Sequence, residues 1–150
     1  MCGIACYFTR TNGDRARVGN TILNMLNALS SRGPDSAGVA LYGPRSDHLI
    51  LRVKLGDAAM NRESKELQIR ADRITEFVSK IAEIVEVSRT VEYLRLKVGF
   101  ADDLKTLERL IESAGKEVEV VSMGSSLEII KQVGSPVNLD RTYHLNGLCG

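Results

Sequence analysis

Two stretches of this sequence carry residues whose types and spacing could do chemistry. The first is Met1-Cys2-Gly3-Ile4. Cysteine is small enough for aminopeptidase to trim Met1, which leaves Cys2 with a free α-amino group. A thiol is mostly protonated at neutral pH, and the thiolate is the nucleophile. An α-amine titrates near ~7.7–8.0 and accepts a proton at working pH, whereas a peptide nitrogen cannot. One residue would then supply both nucleophile and base. An amide substrate needs both, for attack on the carbonyl carbon and for protonation of the leaving ammonia. The plainer reading is that Cys2 is an ordinary small residue opening a strand, since buried cysteine is common.

The second stretch is Ser31-Arg32-Gly33-Pro34-Asp35-Ser36-Ala37-Gly38-Val39-Ala40. Gly33-Pro34 makes a tight turn, and Ser36, Ala37 and Gly38 are small enough for close backbone approach. Arg32 and Asp35 could pair across the turn. They could equally face the start of the chain, where Arg32 would orient Cys2 or attract a carboxylate. Simple bracing of the turn is a third reading.

These residues need elements to hold them. Cys2 to Thr9 alternates with period two, Cys2, Ile4, Cys6 and Phe8 sharing one face, and predicts a strand. Asn12-Gly13 signals a turn. From Ala16 to Ser31, Val18, Ile22, Met25, Leu26 and Leu29 follow helical spacing, and Gly33-Pro34 stops the helix. Ala37–Tyr42 predicts a buried strand, and His48–Leu55 its antiparallel partner across Gly43-Pro44. Gly56–Lys65 is polar and marks a boundary. Ile74, Phe77, Val78, Ile81, Ile84 and Val85 predict a second helix. Val91–Phe100 predicts a strand with Leu94, Leu96, Val98 and Phe100 on one face. Asp102 or Asp103 caps a third helix, ended by Gly115. Glu117–Met123 predicts another strand. Gly124-Ser125-Ser126 leads into a short helix over Leu127–Val133, with a serine as N-cap or the backbone N–H groups open to an anion. Glu92, Arg95, Lys97, Glu117 and Glu119 read as solvated strand faces.

The fold class expected is therefore a layered α/β (α+β) arrangement in three stretches. Residues 1–56 start the main domain. Residues 66–134 form a small inserted α/β unit. Residues 135–150 form a return segment toward a missing second half of the domain.

Composition limits the function classes. The chain has 150 residues, is 43% hydrophobic and carries a net charge of +1, enough for a real core and too balanced for a nucleic-acid or anionic-membrane footprint. No apolar run spans a bilayer and no signal peptide opens the chain. Three cysteines without a signal argue against a disulfide framework and for a cytoplasmic setting. Cys2, Cys6, Cys149, His48 and His144 match no paired metal-ligand spacing, so no metal or cofactor is expected.

Met1-Cys2-Gly3-Ile4 followed by Arg32-Gly33-Pro34-Asp35-Ser36-Ala37-Gly38, in this order, resembles the class II glutamine amidotransferases. These are N-terminal-nucleophile hydrolases with an αββα sandwich. The resemblance implies Cys2 as nucleophile, glutamine as ammonia donor and a glutamyl thioester intermediate. It implies a partner synthase that receives ammonia, with Arg32, Gly33 and Asp35 supporting the site. Met123–Gly134 resembles the glutamate-synthase-related subunits, such as that of N-methylglutamate synthase. The family's His-Thr-Arg segment, which grips the substrate carboxylate, has no counterpart here: Leu49 follows His48 and Leu145 follows His144. Asn146-Gly147 stands out of order for the family's oxyanion pair. The expectation is a truncated domain and slow glutamine turnover, because one oxyanion donor is typically worth ~10²–10³ in rate. A non-catalytic binding module on the same fold, and a partly folded fragment, are the competing expectations.

Overall fold

The computed structural model describes residues 3–8, 18–32, 35–56, 64–99 and 103–148. The chain divides into two compact units. One comprises Ala40–Ile130, and the other Met1–Val39 with Lys131–Gly150.

The Ala40–Ile130 unit is built on β2 (Leu49–Lys54), α2 (Ser64–Ser79), β3 (Ile84–Thr90), β4 (Tyr93–Val98), α3 (Leu104–Glu112) and β5 (Glu119–Gly124). The four strands form one sheet in the order β3-β4-β2-β5, every neighbouring pair antiparallel. A βαββαβ chain with this strand order has the split βαβ, ferredoxin-like topology. Period two puts Leu49, Leu51 and Val53 of β2, with Leu94, Leu96 and Val98 of β4, in the core. Helical spacing lays Leu67, Ala71, Ile74 and Val78 of α2 and Leu107 and Ile111 of α3 against them. Asp103 caps α3 through bonds from the Lys105 and Thr106 amides, as its position in the sequence predicts. Both edge strands carry an irregularity, between Ile84 and Glu86 on β3 and opposite Arg52/Val53 on β5. Such bulges twist an edge away from further pairing.

In the other unit, α1 (Val18–Leu29) runs into a 3-10 turn over Ser30–Arg32, and α4 (Pro136–Tyr143) into a second over Leu145–Gly147. Gly19 and Leu23 of α1 are buried, as are Pro136, Leu139 and Leu145. The Gly19 amide donates to the Leu148 carbonyl at 3.1 Å. A β-carbon on Gly19 would stand 1.6 Å from the Leu145 carbonyl oxygen, so glycine is what permits the approach. β1 (Ser36–Tyr42) and β6 (Leu127–Val133) pair as a two-stranded sheet, and the boundary between the units falls inside both strands.

The structure is thus mixed α+β with antiparallel sheets, but several local expectations are corrected. Leu127–Val133 is strand β6, not a helix: Ile129, Ile130 and Val133 are β-branched, and Gly124-Ser125-Ser126 forms a corner between two strands rather than a helix start. The Ser125 and Ser126 carbonyls accept from the Ser46 and Gly43 amides there. β2 is not the partner of β1; it lies between β4 and β5, because its apolar face completes the core under α2 and α3. The helix expected to reach Val85 stops at Ser79, and Ile84–Thr90 is strand β3, rich in Val and Thr. The strand expected from Val91 begins at Tyr93, because Val91 and Glu92 turn the β3–β4 hairpin. Ser135 and Pro136 are the N-cap and first residue of α4, a helix that the sequence pattern did not predict. Gly3–Phe8 joins no strand, although its side chains alternate. Cys2, Thr9 and Phe100 lie outside the described residues.

Candidate functional site

Of the residues singled out by chemistry, Cys2 and Gly33 lie outside the described residues. Arg32 closes the 3-10 turn that follows α1, with the Ser30 hydroxyl donating to the Asn27 carbonyl at 2.7 Å just before it. Asp35 is exposed and sits immediately ahead of β1. Its carbonyl accepts from the Gly134 amide at 2.9 Å, so the start of β1 is tied to the end of β6. Gly134 takes φ 94°, a left-handed conformation natural for glycine, and a β-carbon there would lie 2.7 Å from Asn138 Nδ2. Asp35 is therefore placed through its backbone, and the residue is exposed.

His48 lies in the β1–β2 connection, His144 caps the end of α4 in a left-handed conformation (φ 52°), and Cys6 is exposed. Cys149 lies outside the described residues. A groove of about 330 Å³ between α3 and β5 is lined by Leu104, Lys105, Glu108 and Val120–Met123. It holds none of the predicted site residues.

Sequence reasoning missed the main charged cluster. Arg52 and Arg95 are directly opposed on β2 and β4, two like charges side by side. Glu128 of β6 accepts from both, 2.5 Å from Arg52 Nε and 3.0 Å from Arg95 Nε. Arg95 Nη1 also reaches Glu86 at 3.0 Å. The side chains of Arg52, Glu128 and Arg95 are 10%, 15% and 20% exposed, so Arg95 does not lie on the solvated face expected for it. Glu92 is buried as well, its carbonyl accepting from the Leu55 amide. Glu117 pairs with Arg70, whose Nη1 also donates to the Leu55 carbonyl. The sequence held no signal for it, because Arg52 opposes Arg95 only once β2 lies beside β4. Two exposed carboxyls are held below their usual range. Asp103 is lowered first by the Thr106 hydroxyl, and Glu76 by its hydrogen bond from Lys80.

No protein-family model matches the chain. It is 34% identical to a protein of Methanothermobacter thermautotrophicus provisionally named glutamine amidotransferase, across 95% of this chain and 47% of that protein. It is 23% identical to the glutamine amidotransferase-like protein GlxB of Rhizobium meliloti, across 100% of this chain and 47% of GlxB. The chain thus spans about half the length of the curated relatives it matches. No helix among the described residues is long and apolar enough to cross a membrane.

Proposed function

We propose that this chain carries the nucleophile of a class II glutamine amidotransferase, with the family's αββα sandwich as the complete fold. Cys2, freed of Met1, adds its thiolate to the side-chain carbonyl of glutamine. The C–N bond breaks as the α-ammonium of Cys2 returns a proton to the departing ammonia. Water then hydrolyses the glutamyl thioester to glutamate and restores the thiol. Ammonia passes to a partner synthase in the cytoplasm, and Arg32, Gly33 and Asp35 support the pocket. A glutamate-synthase-like setting is the finer part of this reading.

One observation carries it. The Cys2 and Arg32–Gly38 motifs stand in the family's order on a chain similar, along nearly its whole length, to two relatives with glutamine amidotransferase names. Turnover by this chain alone is expected to be slow, since the carboxylate-gripping His-Thr-Arg and an ordered oxyanion pair are missing from its 150 residues.

Intact mass of the purified chain, before and after incubation with 6-diazo-5-oxo-norleucine, tests the reading. Loss of Met1 and a single adduct abolished by Cys2→Ser support it. A retained Met1, or a Cys2 that reacts with a general thiol reagent and not with the glutamine analogue, overturns it. The second reading, a non-catalytic binding module, is favoured by the separate core of the Ala40–Ile130 unit. A stable complex with a synthase subunit and no consumption of glutamine would select it.

A further inference from the structure

Within the unit comprising Met1–Val39 and Lys131–Gly150, the end of α1 touches the neighbour of one chemical motif and leads into the other. Gly3, the residue bonded to Cys2, is half-buried. A β-carbon on Gly3 would stand 3.0 Å from Leu29 Cδ2 and 3.2 Å from both Leu29 Cβ and Leu29 Cδ1. All three distances are shorter than the ~3.5–4.0 Å of ordinary carbon contacts. The backbone of Gly3 therefore lies against the Leu29 side chain with no room for a methyl group between them. Leu29 is the last residue of α1, and the 3-10 turn over Ser30–Arg32 follows it directly.

The stretch that carries Leu29 is tied at both ends. The Gly19 amide donates to the Leu148 carbonyl at 3.1 Å, and the Asp35 carbonyl accepts from the Gly134 amide at 2.9 Å. Gly3 thus rests on a braced helix, three residues before Arg32. Successive Cα atoms are ~3.8 Å apart, so whatever seats Gly3 restricts where the Cys2 thiol can lie.

We propose that Leu29 is a positioning residue for the Cys2 nucleophile: its side chain seats Gly3 and so sets Cys2 against the Arg32–Asp35 turn. The proposal rests on the amidotransferase reading for the chemistry, and on the Gly3–Leu29 contact for the place. Leu29 meets no substrate; it acts through the backbone of Gly3. Glycine at position 3 is then required because any side chain there pushes the nucleophile off its seat.

The test is the rate of covalent labelling at Cys2, followed by peptide mass, in the parent chain, Leu29→Ala, Leu29→Met, Gly3→Ala and the double variant Gly3→Ala/Leu29→Ala. Each is treated with 6-diazo-5-oxo-norleucine, which needs the thiol aligned with a bound glutamine analogue, and with iodoacetamide, which needs only an accessible thiolate. A misplacement of about 1 Å can cost ~10²-fold in rate. Leu29→Ala and Gly3→Ala should each slow saturated labelling by the analogue roughly tenfold or more. The half-saturating concentration and the iodoacetamide rate should stay at parental values. Leu29→Met, of similar volume, should keep most of the rate. The double variant should regain part of the loss, because the added methyl enters the space left by the shortened side chain. Leu29 is only half-buried, so the variants should fold, which circular dichroism checks.

Parental labelling kinetics in Leu29→Ala overturn the proposal. So do equal losses with both reagents, or losses that simply multiply in the double variant. A parent chain that iodoacetamide modifies at Cys2 and the analogue does not overturns the amidotransferase reading, and this proposal with it. A labelled parent with unaffected variants overturns the proposal alone.

Discussion

Glu128 on β6 places one carboxylate oxygen 2.5 Å from Arg52 Nε on β2, and the same oxygen serves Arg95 from the neighbouring strand at 3.0 Å. Without it, two guanidinium groups would face each other across a β-ladder, where like charges repel. Removing one member of a fully buried ion pair costs about 3–5 kcal/mol, because the remaining charge loses its partner and not its burial. These side chains keep 10–20% of their surface in water, so Glu128→Ala is expected to cost less, about 2–3 kcal/mol. Glu128→Gln keeps the acceptor oxygen and loses the charge, and should fall between Ala and the parent chain. Urea unfolding of the three proteins checks the order. Equal stability of Glu128→Ala and the parent would mean that solvent screens the pair completely.

Gly19 tests how closely α1 and the Leu145–Gly147 turn must approach. A methyl group there would overlap the Leu145 carbonyl oxygen at 1.6 Å, and that obstacle is backbone, which cannot swing aside as a flexible side chain would. Gly19→Ala normally gains helix propensity, worth up to ~1 kcal/mol. Overpacking costs typically ~1–3 kcal/mol and should win here. The expected outcome is a lower melting temperature and faster proteolysis within α1 and α4. A rise in melting temperature would show that the two elements can separate at no cost.

Where the sequence was legible, one strong local pattern agreed with the packing. Leu94, Leu96 and Val98 alternate and line the core, and Leu107 and Ile111 sit one turn apart behind a capping Asp103. Legibility failed where one pattern fits two structures. Leu127–Val133 holds an Ile-Ile pair that suits a helix or a strand, and only pairing with β1 decides. It failed again for strand partners: His48–Leu55 follows β1 closely in the chain, but the gain from completing the core between β4 and β5 outweighs a short hairpin with β1. The chemistry read at Cys2 and Arg32–Asp35 stands as a proposal, since Cys2 and Gly33 lie outside the described residues. The Glu128 cluster was not legible, because its members are 33 and 76 positions apart in the chain.

Val91 occupies φ 53° in the two-residue β3–β4 turn, a conformation that β-branched residues avoid. Left-handed backbone costs an L-residue roughly 1–2 kcal/mol, and asparagine much less, because its side chain bonds locally. Val91 is 53% exposed, so replacing it gives up little burial. Val91→Asn should therefore stabilise the chain by about 0.5–1 kcal/mol, the part of that strain asparagine relieves. The shift in urea midpoint at unchanged slope measures it. A destabilised variant would mean that the Val91 side chain holds the hairpin in place.

Asp103 makes α3 sensitive to acid. Its carboxylate accepts from the Lys105 and Thr106 amides, each at 3.1 Å, and from the Thr106 hydroxyl at 2.5 Å. These bonds favour the charged form, led by the hydroxyl, and hold the carboxyl below its ordinary value of 3.8. The unfolded chain takes up the proton first as pH falls. The stabilisation is therefore fully present above pH 3.8 and is lost as the pH drops through the lower folded value. Asp103→Asn retains an acceptor oxygen for the amides and has no proton to bind. It should be less stable than the parent at neutral pH and approach it under acid. Amide exchange across α3 at neutral and acid pH, in both proteins, reads the difference directly. Parallel pH profiles would show that the cap works through its dipole and hydrogen-bond geometry, with no contribution from its charge.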